Sequence, residues 1–206
     1  MAKQKGIIKL DGTIGGITFY KTTEDGYLAR EKGGVSADKI ANDPAFQRTR
    51  ENGEEFGRAG KAGKLLRNAI RAMLQNASDS RMVGRLTQKM VEVIQEDLTN
   101  PRGQRNVIDG EAELLEGFEF NISGKLGTTL YAPFTGTIDR VAGTLTANIP
   151  AFVPINMLAA PGGSTHFKIV SAGAEVDFEN ETFVIDAQAT AVLPWDSAAT
   201  AVITLV

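Results

Sequence analysis

The chain has 206 residues, 42% of them apolar and 23% charged, a balance that sustains a folded core and excludes wholesale disorder. It has no cysteine and a single histidine, so disulfides, thiolate catalysis, cysteine-ligated metal centres and His-rich metal sites are excluded. The net charge of −3 hides an asymmetry: residues 1–105 carry 19 Lys and Arg against 13 Asp and Glu, and residues 106–206 carry 3 against 12. Two separately evolved segments account for this, and so does attraction between neighbouring copies, since complementary fields favour encounter and register.

The opening MAKQKGIIKLDGTIGG lacks the apolar stretch of a signal peptide, and no run of about 18 apolar residues is present. The expected location is cytoplasmic, or outside the cell as an assembled particle released by a non-classical route.

Residues 1–32 read as a β-meander and assembly arm. Its predicted strands are Gly6–Leu10, Ile14–Lys21 and Tyr27–Arg30, with Asp11–Gly12 and Asp25–Gly26 as hairpin turns. Alternation places Ile17 and Phe19 on one face and Thr18 and Tyr20 on the other, and Gly15–Gly16 marks a bulge or a close backbone approach. Three short strands are at the limit of independent stability, so the meander must pack on something. Residues 33–43 read as a linker.

Residues 33–105 hold this linker and a helical hairpin. Asp43–Pro44 is a helix start, with Asp as N-cap and Pro in the first turn. The first helix is expected to run to about Gln75, with Phe46, Gly53, Phe56, Gly60 and Gly63 on its packing stripe, continued by Ile70 and Leu74. Four glycines inside it, Gly53, Gly57, Gly60 and Gly63, each cost about 1 kcal/mol against alanine. They predict a break near Gly60 or a close approach by another backbone. Asn76–Asp79 reads as a turn, with Ser78 or Asp79 capping a second helix whose stripe is Met82, Val83, Leu86, Met90, Val93 and Ile94. Asn100–Pro101 ends it.

Residues 106–206 read as all-β. The predicted strands are Glu116–Ile122, Thr128–Ala132, Thr144–Ile149, Thr165–Ser171, Thr182–Ala187 and Ala201–Val206. Their number and spacing predict an antiparallel β-sandwich of immunoglobulin-like architecture, without that family's cysteine signature. The fold class is therefore α+β.

Catalytic motifs are lacking. His166 reads as an ordinary strand residue. Gly12–Gly16 matches neither a P-loop nor a dinucleotide fingerprint. The acidic stretch Glu175, Asp177, Glu179 and Glu181 reads as a charged hairpin tip without the spacing of a calcium loop, and Asp109, Glu111, Glu113 and Glu116 read as a solvated connection. The basic residues Arg58, Lys61, Lys64, Arg67 and Arg71 are the best case for a nucleic-acid contact, although they spread around the helix.

The segments GIIKLDGTIGGITFYKTTEDGYLAREKGG and DPAFQRTRENGEEFGRAGKAGKLLR resemble a family of small uncharacterised proteins common in Bacteroidetes-type bacteria. These carry a G-x-I-G-G-x-x-F hairpin, an Arg-bearing linker and helix, and a β-rich C-terminal half. The resemblance covers the first 70 residues by motif and the rest by layout. It implies a shared architecture, and neither an activity nor a cofactor.

The expectation is a non-catalytic structural protein whose partner is itself, with no cofactor or metal. Copies would join by strand exchange or edge pairing through Ile14, Ile17, Phe19, Tyr20, Tyr27 and Leu28, and through Val202, Ile203 and Leu205 of the last strand. A phage-derived or virion-associated tail, decoration or cargo protein is the first alternative, a nucleic-acid-binding module the second, and a glycan-binding or weakly hydrolytic sandwich a remoter one.

Overall fold

The computed structural model describes residues 2–206. It is an α+β protein that divides into two compact units, one ending at Arg50 and the other spanning Glu51–Val206. The sequence places boundaries at 32 and 105 instead. The helical hairpin and the β region fall in one unit because Leu114, Leu115, Phe118, Phe120 and Phe178 pack on the helical core.

The first unit is built on a four-stranded antiparallel sheet of order β1-β4-β3-β2, formed by β1 (Ala2–Lys3), β2 (Gly12–Ile14), β3 (Ile17–Thr22) and β4 (Gly26–Glu31). Its tight hairpin is not at Asp11–Gly12. Ile14 pairs with Ile17, so Gly15–Gly16 is a two-residue loop, and Gly15 takes the positive φ of 58° that such a loop requires. The expected strand Gly6–Leu10 does not form. The Gln4 side chain donates to the carbonyls of Leu10 and Leu28 and accepts from the Leu10 N–H, which closes residues 5–9 into a loop. β1 takes the β4 edge in its place.

The expected linker contains α1 (Ala37–Asn42), whose N-cap Ser36 accepts from the Lys39 N–H. Asp43 then caps a 3₁₀ turn, Pro44–Phe46, as Asp43–Pro44 predicted. Arg50 fastens this entry, donating to the carbonyls of Ile40 and Asp43 at 2.7 and 3.1 Å.

α2 (Gln47–Ala69) runs unbroken through all four glycines. The discontinuity falls at Ile70, before α3 (Arg71–Leu74). The buried face of α2 is Glu55, Ala59, Ala62, Gly63 and Ala69, roughly a quarter turn from the expected stripe at 100° per residue. Small alanines carry little hydrophobic signal, and the large Phe56 draws the stripe to the wrong side; Phe56 is 60% exposed. α4 (Met82–Gln95) follows its expected stripe, burying Met82, Leu86, Met90, Val93 and Ile94, with Val83 exposed. Together with Ala59, Ala62 and Val107 these form the first core.

The segment predicted as strand Glu116–Ile122 follows a 3₁₀ turn, Ala112–Leu115, and joins no ladder. Its backbone is held by the start of α4 instead. The Asp79 carboxylate accepts from the N–H groups of Ile122 and Arg81, and Arg85 donates to the Glu119 carbonyl. Phe118 and Phe120 meet edge to face at 4.9 Å beside the helices.

Beyond it lie α5 (Leu126–Thr129), β5 (Thr135–Asp139), β6 (Thr144–Ile149), α6 (Pro154–Met157), β7 (His166–Phe167), β8 (Val170–Asp177), β9 (Thr182–Ala189), β10 (Leu193–Pro194) and β11 (Ile203–Leu205). Among the described residues they form three antiparallel ladders, β11-β6-β5, β8-β9 and β10-β7. Thr128–Ala132 reduces to α5 and one bridge, Leu130 to Leu158, and the expected Thr165–Ser171 splits into β7 and the start of β8. The second core gathers Leu130, Ala132, Ile149, Phe152, Ile203 and Leu205.

Candidate functional site

In the first unit, cross-strand register sorts the expected contact residues onto two faces. Residues directly opposite in an antiparallel pair share a face. Ile14 pairs with Ile17, Phe19 with Ala29 and Lys21 with Tyr27, which puts Ile14, Ile17, Phe19 and Tyr27 on one side. Tyr20 pairs with Leu28, which puts both on the other. The first side is the open one: Ile14 is 62% and Ile17 47% exposed, and Ile7 and Ile8 stand almost wholly exposed in the neighbouring loop. Leu28 is buried, and the Tyr20 ring lies beside the Arg30 guanidinium at 5.3 Å. A shallow groove of about 650 Å³ runs between Ala2, Ile17, Ala29 and Glu31.

The sheet has two edge strands, β1 and β2, and β2 is exposed along its whole length. In a two-residue hairpin the pair flanking the loop, Ile14 and Ile17, exchanges the ladder hydrogen bonds, so the next pair, Thr13 and Thr18, does not. The N–H and C=O of Thr13 consequently face outward. The Thr13 and Thr18 hydroxyls lie 3.2 Å apart, the close approach of a non-hydrogen-bonded pair.

In the second unit, β9 is the more exposed strand of the two-stranded β8-β9 ribbon, with Val184 71% and Phe183 40% exposed. Its Ala187 N–H is taken by the carboxylate of Asp186 in the same strand. The hairpin carries Glu175, Asp177, Glu179, Glu181 and Asp186, and the sequence has no Lys or Arg beyond Lys168. Asp177 organises its tip: Oδ1 accepts from the N–H groups of Glu179 and Asn180, and Oδ2 from the Asn180 side chain. These bonds, the Asn180 side chain's first, hold its pKa below the usual carboxylate range.

Of the last-strand residues, Ile203 and Leu205 are buried in the second core, where β11 pairs with β6; Val202 is exposed. The expected helix-packing set is likewise divided. Gly63 lies against Leu86 and Met90, whereas Gly53, Phe56 and Gly60 face open space and Phe46 is half-buried. No backbone approaches the first glycines.

The basic residues of α2 and α3 divide into two that bond backbone carbonyls and three that are exposed. Arg58 donates to the carbonyls of Gly103 and Arg105 at 2.6 and 3.2 Å, and Arg67 donates to the Gly63 carbonyl of its own helix. Lys61, Lys64 and Arg71 are exposed. Arg58 and Lys61 border a cleft of about 210 Å³ with Leu65, Ile108, Phe178 and Glu181.

Sequence reasoning missed the polar clamp behind this cleft. Glu55, only 3% exposed, accepts from Arg105 through both carboxylate oxygens and from the Gly103 N–H. Burial pushes its pKa up, but the hydrogen bonds from Arg105 and Gly103 outweigh burial and leave it lowered. Asp97, 2% exposed, accepts from the N–H groups of Thr99, Asn100 and Asn106 and from the Asn100 side chain. Burial again opposes these bonds, and the outcome is a pKa lowered to about 2. No buried polar side-chain atom among the described residues lacks a partner, which marks the clamp as scaffold. The signal in the sequence was N-P-R-G-Q-R-N-V-I-D-G, dense in turn formers and side-chain hydrogen-bonding groups.

His166 lies on β7 with Nδ1 2.9 Å from the Thr165 hydroxyl. Among the described residues no group of three or more His, Cys, Asp or Glu could hold a metal ion, and no helix is long and apolar enough to cross a membrane. Compared with known proteins, the chain matches no family model, no curated protein and no solved structure.

Proposed function

We propose that this chain is a non-catalytic structural subunit that self-assembles, with the N-terminal sheet as its joining element. The observation that carries this is the open face of the first unit, where Ile14 and Ile17 are exposed, with Ile7 and Ile8 exposed in the loop before β2, in a compact body of about fifty residues. A sheet of this size, with its free edge bare, is the kind of element other sheets accept as a partner. The opposite charges of the two halves favour a head-to-tail contact between unlike surfaces, which gives rings where the rotation closes and filaments where it does not.

The β region serves as the body of the subunit, and its strands are arranged in sandwich fashion. Support comes from Gly173 of β8, where an added Cβ would lie 3.4 Å from Leu145 of β6. Copies of this kind suit a fibre, tube or particle, including one of phage origin.

Light scattering on a sizing column, with electron microscopy of the large fractions, tests the proposal. The full chain is expected to elute as a defined oligomer or polymer, and a chain lacking residues 1–32 as a folded monomer. A full chain that stays monomeric across concentrations overturns it.

A further inference from the structure

Among the exposed strand edges of this chain, β2 and β9 lie in surroundings of opposite charge. We infer that the free edge of β2 in one copy pairs with the free edge of β9 in the next, so that the N-terminal sheet extends the β8-β9 ribbon of its neighbour. This rests on the self-assembly proposed above and specifies which surfaces meet.

The donor edge is presented ready to pair. Thr13 directs its N–H and C=O away from β3, and Gly12, Thr13 and Ile14 are all exposed. The loop leading into it brings the exposed Lys5 and Lys9, and the unit ending at Arg50 holds 9 Lys and Arg against 6 Asp and Glu. The acceptor edge is the more exposed strand of a ribbon rich in acids, with exposed Val184 and Phe183 available to the isoleucines of the donor. The Asp186 carboxylate bonded to the Ala187 N–H shows that an outward amide of β9 has no strand beside it within the chain. Edges left this way pair with other chains unless charge opposes it, and here the charges attract. β5 is also an exposed edge, but its hairpin carries Arg140 and a single acid, Asp139, so it lacks the complementary field.

The absence of cysteine makes the contact directly testable. Two populations of full-length chain are mixed, one with Thr13→Cys or Ile14→Cys, the other with Phe183→Cys or Val184→Cys, which covers both faces of each strand. Any mixed disulfide joins different copies. The expected result is a strong hetero-disulfide for at least one combination and none above background with Ile138→Cys on β5, which is equally exposed. Lys5→Glu with Lys9→Glu in the donor should abolish the cross-link, and Glu181→Lys with Asp186→Lys in the acceptor should restore it. Thr13→Pro removes only an outward N–H at an edge position, where proline is tolerated; it should leave the circular dichroism unchanged and dissolve the oligomer. Assembly without any β2–β9 cross-link, or an equal cross-link at Ile138, overturns this pairing while self-assembly stands. A monomeric full chain overturns both.

Discussion

Glu55 and Arg105 form a two-point contact inside the second unit: Arg105 Nε lies 2.8 Å from Oε1 and Nη2 3.1 Å from Oε2, with 50 residues of chain between the partners. The same Oε1 takes the Gly103 N–H, so one carboxylate pins α2 to the loop that follows α4. Removing Arg105 leaves the Glu55 carboxylate buried without its counter-charge. Arg105→Ala is therefore expected to lower unfolding stability by about 3–5 kcal/mol, read from urea midpoints. Because the folded pKa of Glu55 lies below its unfolded value, its contribution is complete above the unfolded pKa and is lost as pH falls through the folded one. The gap between wild type and Glu55→Gln should accordingly narrow between neutral pH and pH ~3.

Asp97 makes a sharper acid prediction. With its pKa lowered to about 2, it remains ionised when ordinary carboxylates have protonated. At pH ~3.5 the amides of Thr99, Asn100 and Asn106 should remain protected from hydrogen exchange in the wild type and lose protection in Asp97→Ala. Equal exchange in the two proteins would show that the Asp97 carboxylate does not hold the loop.

The glycines separate into opposite classes. Gly53, Gly57 and Gly60 face open space, so alanine at each should add helix propensity of up to about 1 kcal/mol with no clash. Gly63→Ala meets Leu86 and Met90 only at ordinary contact distance and should also be tolerated. Gly110 is different: a Cβ there would run into the Val93 carbonyl. Gly110→Ala should lower the melting temperature, by a free energy of about 1–3 kcal/mol if the overlap is relieved by backbone shifts.

Asp139 and Asp177 stand at the same position of two four-residue hairpin loops. Each pairs with a threonine across the loop, Thr144 and Thr182, and each accepts from the N–H groups two and three residues on. The residue before each threonine has positive φ, Gly143 at 67° and Glu181 at 54°. Only the first is glycine. Glu181→Gly should thus raise stability by about 1 kcal/mol, the cost of holding an L-residue left-handed, and Gly143→Glu should do the reverse.

The size of the assembly should fall with added salt. Exposed charges are screened within about 8 Å at physiological ionic strength, so a contact guided by Lys5, Lys9, Glu181 and Asp186 weakens as sodium chloride rises. A particle whose light-scattering mass is indifferent to salt would place the joining energy in apolar burial alone.

Legibility in the sequence followed the size of the side chains. The buried face of α4 was legible, Val83 apart, because Met82, Leu86, Met90, Val93 and Ile94 repeat with helical period and are large. The buried face of α2 was not, because Ala59, Ala62 and Gly63 carry no such signal and Phe56 points to solvent. The turns at Asp25–Gly26, closed by the Thr22 hydroxyl, and at the tip held by Asp177 were legible, because local chemistry decides them. Segments decided by distant partners were not: Gly6–Leu10 is captured by Gln4, and Glu116–Ile122 by Asp79 and Arg85. Of the candidate surface, Ile14 and Ile17 were found from the strand pattern. β9 as a free edge was beyond reach, since edge status depends on which strands pair elsewhere.

The ladder of β6 has two very different neighbours. β5 reaches it through a tight turn, whereas β11 arrives much later in the chain, the Thr204 and Asn148 side chains meeting across 56 residues. The helical core around Leu86 and Met90 forms within one hairpin of helices. Loop-closure entropy makes the longer contact the slower event, so this chain gains its helices first and completes its second core last. Until β11 docks, Ile149 and Phe152 lack their covering residues, and the chain passes through a stage when this apolar surface is open to wrong contacts. Strand β11 thus closes the second core as the last long-range event of folding.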